Sequence, residues 1–86
     1  MTAVQFHVTE FFDIPARGGL IVVGSTRGGE FVGVPRLVDD VSGRALRVLG
    51  VDHPTPRTLR TGETILVIDR ADAECVAVGR LWSAQR

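Results

Sequence analysis

Besides the acids, His7, His53 and Cys75 are the only side chains suited to nucleophilic or metal chemistry near neutral pH. Tetrahedral zinc sites usually pair ligands two to five residues apart, and these three are spread along the chain. His7 falls on the polar side of an alternating stretch, and His53 stands beside Pro54 in a loop, so both read as ordinary surface histidines. Cys75 opens the apolar run Cys75-Val76-Ala77-Val78 and reads as a buried, inert thiol. Asp39-Asp40 has the composition of an acid–base pair, but adjacent strand residues point to opposite faces. The pair is read instead as strand-end charge that keeps a sheet edge from aggregating. Asp69, Asp72 and Glu74 are placed to cap a helical turn through its N–H groups. No constellation here makes an enzyme, and none calls for a metal or a cofactor.

The arginines offer a different chemistry. All ten basic residues are Arg, balanced by ten acids. A neutral chain lacks the general basic surface that drives nucleic-acid binding by counterion release. The charge is nevertheless uneven. In 44–60, Arg44, Arg47, Arg57 and Arg60 face only Asp52, which makes them the candidate anion- or RNA-facing patch. With four Phe, one Trp and no Tyr, aromatic residues to stack on bases are scarce.

The elements that would position these residues are strands. Turn residues recur every eight to twelve positions: Ala16–Gly19, Arg27–Glu30, Val34–Arg36, Ser42–Gly43, His53–Pro56 and Thr61–Gly62. Between them lie short stretches of Val, Ile, Leu and Phe, the signature of an all-β sandwich or barrel. Val4, Phe6 and Val8 alternate with Gln5, His7 and Thr9, and Phe11, Phe12 and Ile14 continue with a phase shift that predicts a bulge or strand end. Further strands are predicted at Leu20–Thr26, Arg36–Val41, Arg44–Val51, Glu63–Asp69 and across Val76–Trp82, with a strand or turn at Glu30–Val34. Ser42–Gly43 predicts a hairpin, Gly28-Gly29 a hairpin turn, Asp52–Arg60 a loop and Ala71–Glu74 one helical turn. Eighty-six residues make one domain, so the expected fold is a closed, six-stranded, antiparallel-rich β-barrel.

Leu20–Val23 and Ile65–Ile68 are apolar on both faces. The outward side chains of a small isolated barrel meet water and should be polar. Either the chain's own loops and ends cover these strands, or a partner or a second copy does. The second alternative makes Ile21, Val23, Leu66 and Ile68 a candidate docking surface. A lone cysteine, an N-terminus without a signal-peptide pattern and apolar runs of at most four residues predict a cytoplasmic protein with no membrane contact.

The stretch Phe11-Phe12-Asp13-Ile14-Pro15-Ala16-Arg17-Gly18 resembles the opening of the second domain of translation GTPases of the elongation factor Tu type, V-F-x-I-P-G-R-G, with Ala16 at the first Gly. Arg27 and Gly28 match that family's next R-G, and Gly33 a later Gly. Thr61-Gly62-Glu63-Thr64-Ile65 on through Arg70 is similar to A-G-D-x-V-x-L-x-L-R. The resemblance spans nearly the whole chain, in order. It implies a β-barrel whose motif positions are Ile14, Pro15, Arg17, Gly18, Arg27, Gly28, Gly62, Glu63 and Arg70. Arg17 is then expected to brace its turn, pairing with a carboxylate such as Asp13. The family's Gly-Arg pair inside the second strand is replaced by Val23 and Gly24, and no G-x-x-x-x-G-K-[ST] loop is present to hold GTP. Residue pattern and resemblance together predict a non-catalytic interaction module that docks a protein partner or self-associates. The second expectation is an accessory RNA- or ribosome-binding module acting through the Arg44–Arg60 segment.

Overall fold

Alternation of Phe6 and Val8 with Gln5 and His7 builds strand β1, Gln5–Asp13, with Phe6 and Val8 fully buried. The computed structural model describes residues 4–31 and 33–85. The predicted phase shift is a bulge: Val8 lies opposite Gly24 and Glu10 opposite Val23. Pro15 ends the strand by opening a 3-10 turn, Pro15–Arg17, which Gly18 closes at φ 75°. The chain then returns as β2, Leu20–Arg27. Strands β3 (Arg36–Asp39) and β4 (Ala45–Leu46) form the predicted hairpin, with Leu37 opposite Leu46. After Arg47 alone the chain starts β5, Val48–Val51. Helix α1 (Pro56–Thr61), β6 (Thr64–Ile68), a 3-10 segment (Arg70–Cys75) and β7 (Leu81–Gln85) complete the order.

All seven strands join one antiparallel sheet in the order β4-β3-β7-β1-β2-β6-β5. The all-β expectation stands, but the closed six-stranded barrel does not. The edge strands β4 and β5 do not pair with each other. The reason is local. β4 is two residues long, and one residue later the chain is already pairing with β6, so covalent continuity at Arg47 joins the edges where a ladder would close them. The Arg47 N–H donates to Asp72 Oδ2 at 2.7 Å, and its carbonyl accepts from the Asp69 N–H at 3.0 Å. Both backbone polar groups at this hinge are therefore satisfied by the 3-10 segment.

Two other expectations change and a third, the strand or turn at Glu30–Val34, narrows. The predicted loop at Asp52–Arg60 contains α1, capped reciprocally by Thr55 and Thr58, with Pro at its start and Gly62 (φ 76°) at its end. Gly28 and Gly29 take positive φ but close no hairpin, because β2 pairs with β1 and β6 and not with β3. Among the described residues of Glu30–Val34 there is no strand; Val32 lies outside them. The helical turn near Ala71–Glu74 is present, with the Asp69 carboxylate accepting from the Ala71 N–H at 2.9 Å.

The rolled sheet buries one face on itself. Phe6 stacks on Trp82 with ring centroids 5.6 Å apart and on Phe31 at 6.0 Å. Gly24 permits this packing: a Cβ there would strike the His7 carbonyl and come within 2.6 Å of the Phe6 ring. Trp82 Nε1 donates to the Cys75 carbonyl at 3.1 Å, and Cys75 itself is buried, as expected.

Asp39 corrects its sequence reading. It is not an edge charge but a fully buried carboxylate. Arg80 grips it with two N–H donors, Nε at 2.8 Å and Nη2 at 2.6 Å, and Ser42 donates through its N–H and hydroxyl. The Arg80 hydrogen bonds, reinforced by Ser42, hold the Asp39 carboxyl well below the usual carboxylate range despite burial. A depressed folded-state pKa means that this contribution is complete above the ordinary value of 3.8 and is lost as pH falls below it. Two outcomes are expected in urea denaturation. Arg80→Ala should cost about 3–5 kcal/mol at pH 7, because it strands a buried charge. The native protein should lose stability below about pH 4, with a smaller acid-dependent loss in the variant.

Candidate functional site

The outer face of the sheet is where apolar surface meets solvent. Opposed residues in antiparallel strands share a face, so the register defines two rows. The first runs Phe12 (β1), Ile21 (β2), Val67 (β6) and Gly50 (β5). The second runs Glu10, Val23 and Ile65, and the Asp52 N–H donates to the Ile65 carbonyl at 2.8 Å at its far end. Ile21, Val23 and Ile65 form a cluster separate from the main core, with Val67 packed against it.

The chain supplies much of the cover. Arg17, in the β1–β2 connection, pairs with Asp52 after β5, and Arg57 on α1 pairs with Glu10 on β1. In the order β1-β2-β6-β5, the Arg17 pair spans β6 and the Arg57 pair spans both β2 and β6. Glu10 lies in the second outer row, which puts the Arg57 pair on that face. Ile21 and Val23 are only 7% and 6% exposed. Leu66 and Ile68 point inward and are fully buried. The predicted docking set is therefore corrected: two members sit on the outer face but are buried, and two belong to the core.

What stays open is the rim of the first row. Phe12 is 47% exposed, Leu49 46% and Ile14 43%. Leu49 belongs to this rim, because a Cβ on Gly19 would lie 3.2 Å from its Cδ1 and 3.1 Å from Val67 Cγ1. Phe11, also half exposed, stands on the opposite side of β1. Beyond Val8, no β7 residue pairs with β1, so Phe11, Phe12 and Asp13 are a strand end laddered to β2 alone. Sequence reasoning passed over Phe11 and Phe12 as strand continuation; the signal was two adjacent aromatics in front of Pro15.

Two of the motif positions, Ile14 and Arg70, meet in space. Arg70 Nε donates to Asp13 Oδ1 at 2.9 Å, and its Nη2 donates to the carbonyls of Ile14 (3.0 Å) and Gly19 (3.4 Å). One guanidinium thus ties β6's exit to both sides of the Ile14-Pro15-Ala16-Arg17-Gly18 turn. Asp13, expected to hold Arg17, is taken by Arg70, and Arg17 reaches Asp52 instead. Glu63 follows the Gly62 cap; Thr9 donates to its Oε2 at 2.5 Å and Thr61 to its Oε1 at 2.9 Å. These two hydrogen bonds lower the Glu63 pKa, with a smaller contribution from the nearby Arg57. Arg27 and Gly28 lie at the exposed end of β2 and take no part in this cluster.

The four arginines of 44–60 do not form one patch. Arg44 pairs with Asp72 at 3.1 Å and donates to the Ala71 carbonyl, and Arg47 stands 3.8 Å from Asp69. Arg57 and Arg60 lie on α1, beyond the far end of β5. Local carboxylates balance three of the four, a feature that counting charges along the sequence misses. His7 is half-buried and His53 exposed, and among the described residues no group of three His, Cys, Asp or Glu could hold a metal ion. No described helix is long and apolar enough to cross a membrane.

Arg70→Met should keep the aliphatic stem while deleting three donated hydrogen bonds. We expect a loss of about 1–2 kcal/mol in thermal or urea unfolding, discounted for partial exposure, and no comparable loss for Arg27→Met.

No family model, curated protein or solved structure matches the chain.

Proposed function

We propose that the chain is a non-catalytic docking module, akin to the second domain of elongation factor Tu-type translation GTPases, that engages a protein partner or a second copy. The contact surface is the rim of Phe12, Ile14 and Leu49 around Ile21 and Val67. One observation carries this reading: three large apolar side chains, each more than two-fifths exposed, border a strip of buried apolar side chains. Burying their remaining surface is favourable at roughly 25 cal/mol per Å², and contiguous exposed apolar surface marks interaction sites. The proposed setting is the cytoplasm, where Cys75 stays reduced.

An RNA-binding role is the second reading. It rests on Arg47, whose side chain is 78% exposed, and on Arg60, which has no ion pair among the described residues. Binding to an RNA oligomer would then weaken steeply with salt, and the double change Arg47→Ala and Arg60→Ala would reduce the salt slope by about 2.

The docking reading is tested by light scattering over a concentration series and by affinity capture from native lysate. The wild type should self-associate or retain a partner, and Phe12→Ser with Leu49→Ser should lose that association while keeping its cooperative unfolding. Association unchanged in the double variant, or a wild type that stays monomeric and captures nothing, rejects the surface.

A further inference from the structure

At the opposite end of the rolled sheet, the β2–β3 connection and α1 flank a groove of about 560 Å³. Its volume is that of a small-molecule site. Phe31 lies on its inner side, half-buried and stacked on Phe6, so the groove rests on the aromatic core. Val34, Val51 and Leu59 form apolar walls and are 57%, 45% and 70% exposed. Among the described residues, the only ionisable ones in the lining are two acids, Glu30 and Glu63. Among the described residues no Arg or His lines it; Arg57, whose charge acts on Glu63, is engaged with Glu10.

From this combination we infer that the groove is a binding site for a small organic cation, an ammonium or guanidinium carried on an apolar body. The apolar body fills the space between Val34, Val51 and Leu59, as such walls require. The cation is held by the two carboxylates, and the face of Phe31 favours positive charge through its quadrupole. Glu63 is already positioned by Thr9 and Thr61, each using one carboxylate oxygen. A carboxylate has about four acceptor positions, so capacity remains for a ligand N–H. An anion would be repelled by the same pair. This site is separate from the Phe12–Leu49 rim and stands whether or not that surface docks a partner.

The test is a chemical-shift titration of the full chain with three probes of one shape: phenethylammonium, 2-phenylethanol and 3-phenylpropionate. Saturable shifts confined to residues such as Phe31, Val34, Leu59 and Glu63 are expected for the ammonium. The neutral alcohol should bind about tenfold more weakly, the effect of losing one charge-assisted hydrogen bond, and the carboxylate more weakly still. Glu30→Gln should abolish most of the difference between ammonium and alcohol while leaving the rest of the spectrum unchanged; Glu63→Gln is the less clean variant because Glu63 also ties Thr9. Equal affinity for ammonium and alcohol, tighter binding of the carboxylate, no saturable shift, or full discrimination retained in Glu30→Gln overturns the assignment.

Discussion

The architecture depends on a single-residue hinge. Leu46 pairs with β3 at one edge of the sheet, and Val48 pairs with β6 at the other, with only Arg47 between them. A flat seven-stranded sheet would put these edges about 30 Å apart, since neighbouring strands lie near 4.8 Å. Leu46 and Val48 are two Cα steps apart, a span of at most about 7 Å. The sheet must therefore roll until its edges meet, and rolling creates the enclosed face on which Phe6, Leu37, Leu66 and Trp82 pack. The hinge is fixed from outside by Asp72, whose carboxylate accepts from the Arg47 N–H and faces Arg44.

The same geometry organises the charges. A rolled sheet with so few connecting residues brings distant segments together at its seams. There the arginines act as ties: Arg80 to buried Asp39, Arg70 to the turn after β1, Arg17 to Asp52 and Arg57 to Glu10. Exposed pairs of this kind each contribute little, about 0–1 kcal/mol. Their consequence here is placement: the Arg17 and Arg57 pairs join segments on either side of the buried Ile21, Val23 and Ile65 cluster, while Phe12 and Leu49 stay exposed. The proposed docking surface is the apolar rim that stays exposed beside these ties.

Much of this was legible in the sequence. The alternation around Phe6, the break before Pro15, the hairpin across Ser42–Gly43 and the two doubly apolar strands all follow from side-chain period and turn chemistry. The burial of Cys75 was legible for the same reason. Helix α1 was legible too but overlooked: Thr55, Pro56 and Gly62 are a cap, a start and a stop in the expected order. Pairing partners were not legible. Nothing local says that Arg70 takes Asp13 and leaves Arg17 to Asp52, or that Asp39 turns inward to Arg80 while Asp40 accepts from Ser83. Those choices depend on which strands become neighbours. Which face of β6 looks out was also hidden, because Ile65–Ile68 is apolar throughout and carries no period-two signal.

Native-state amide exchange at the hinge tests the rolled-sheet account most directly. The Arg47 N–H, which lies between the two edge strands and bonds to the Asp72 side chain, should be protected to nearly the same degree as Leu66 in the central strands. Asp72→Ala should lower protection at Leu46 and Val51 together, since releasing the hinge frees both edges at once. Rapid exchange at Arg47 in the wild type, or loss of protection at one edge with the other unchanged, would contradict it.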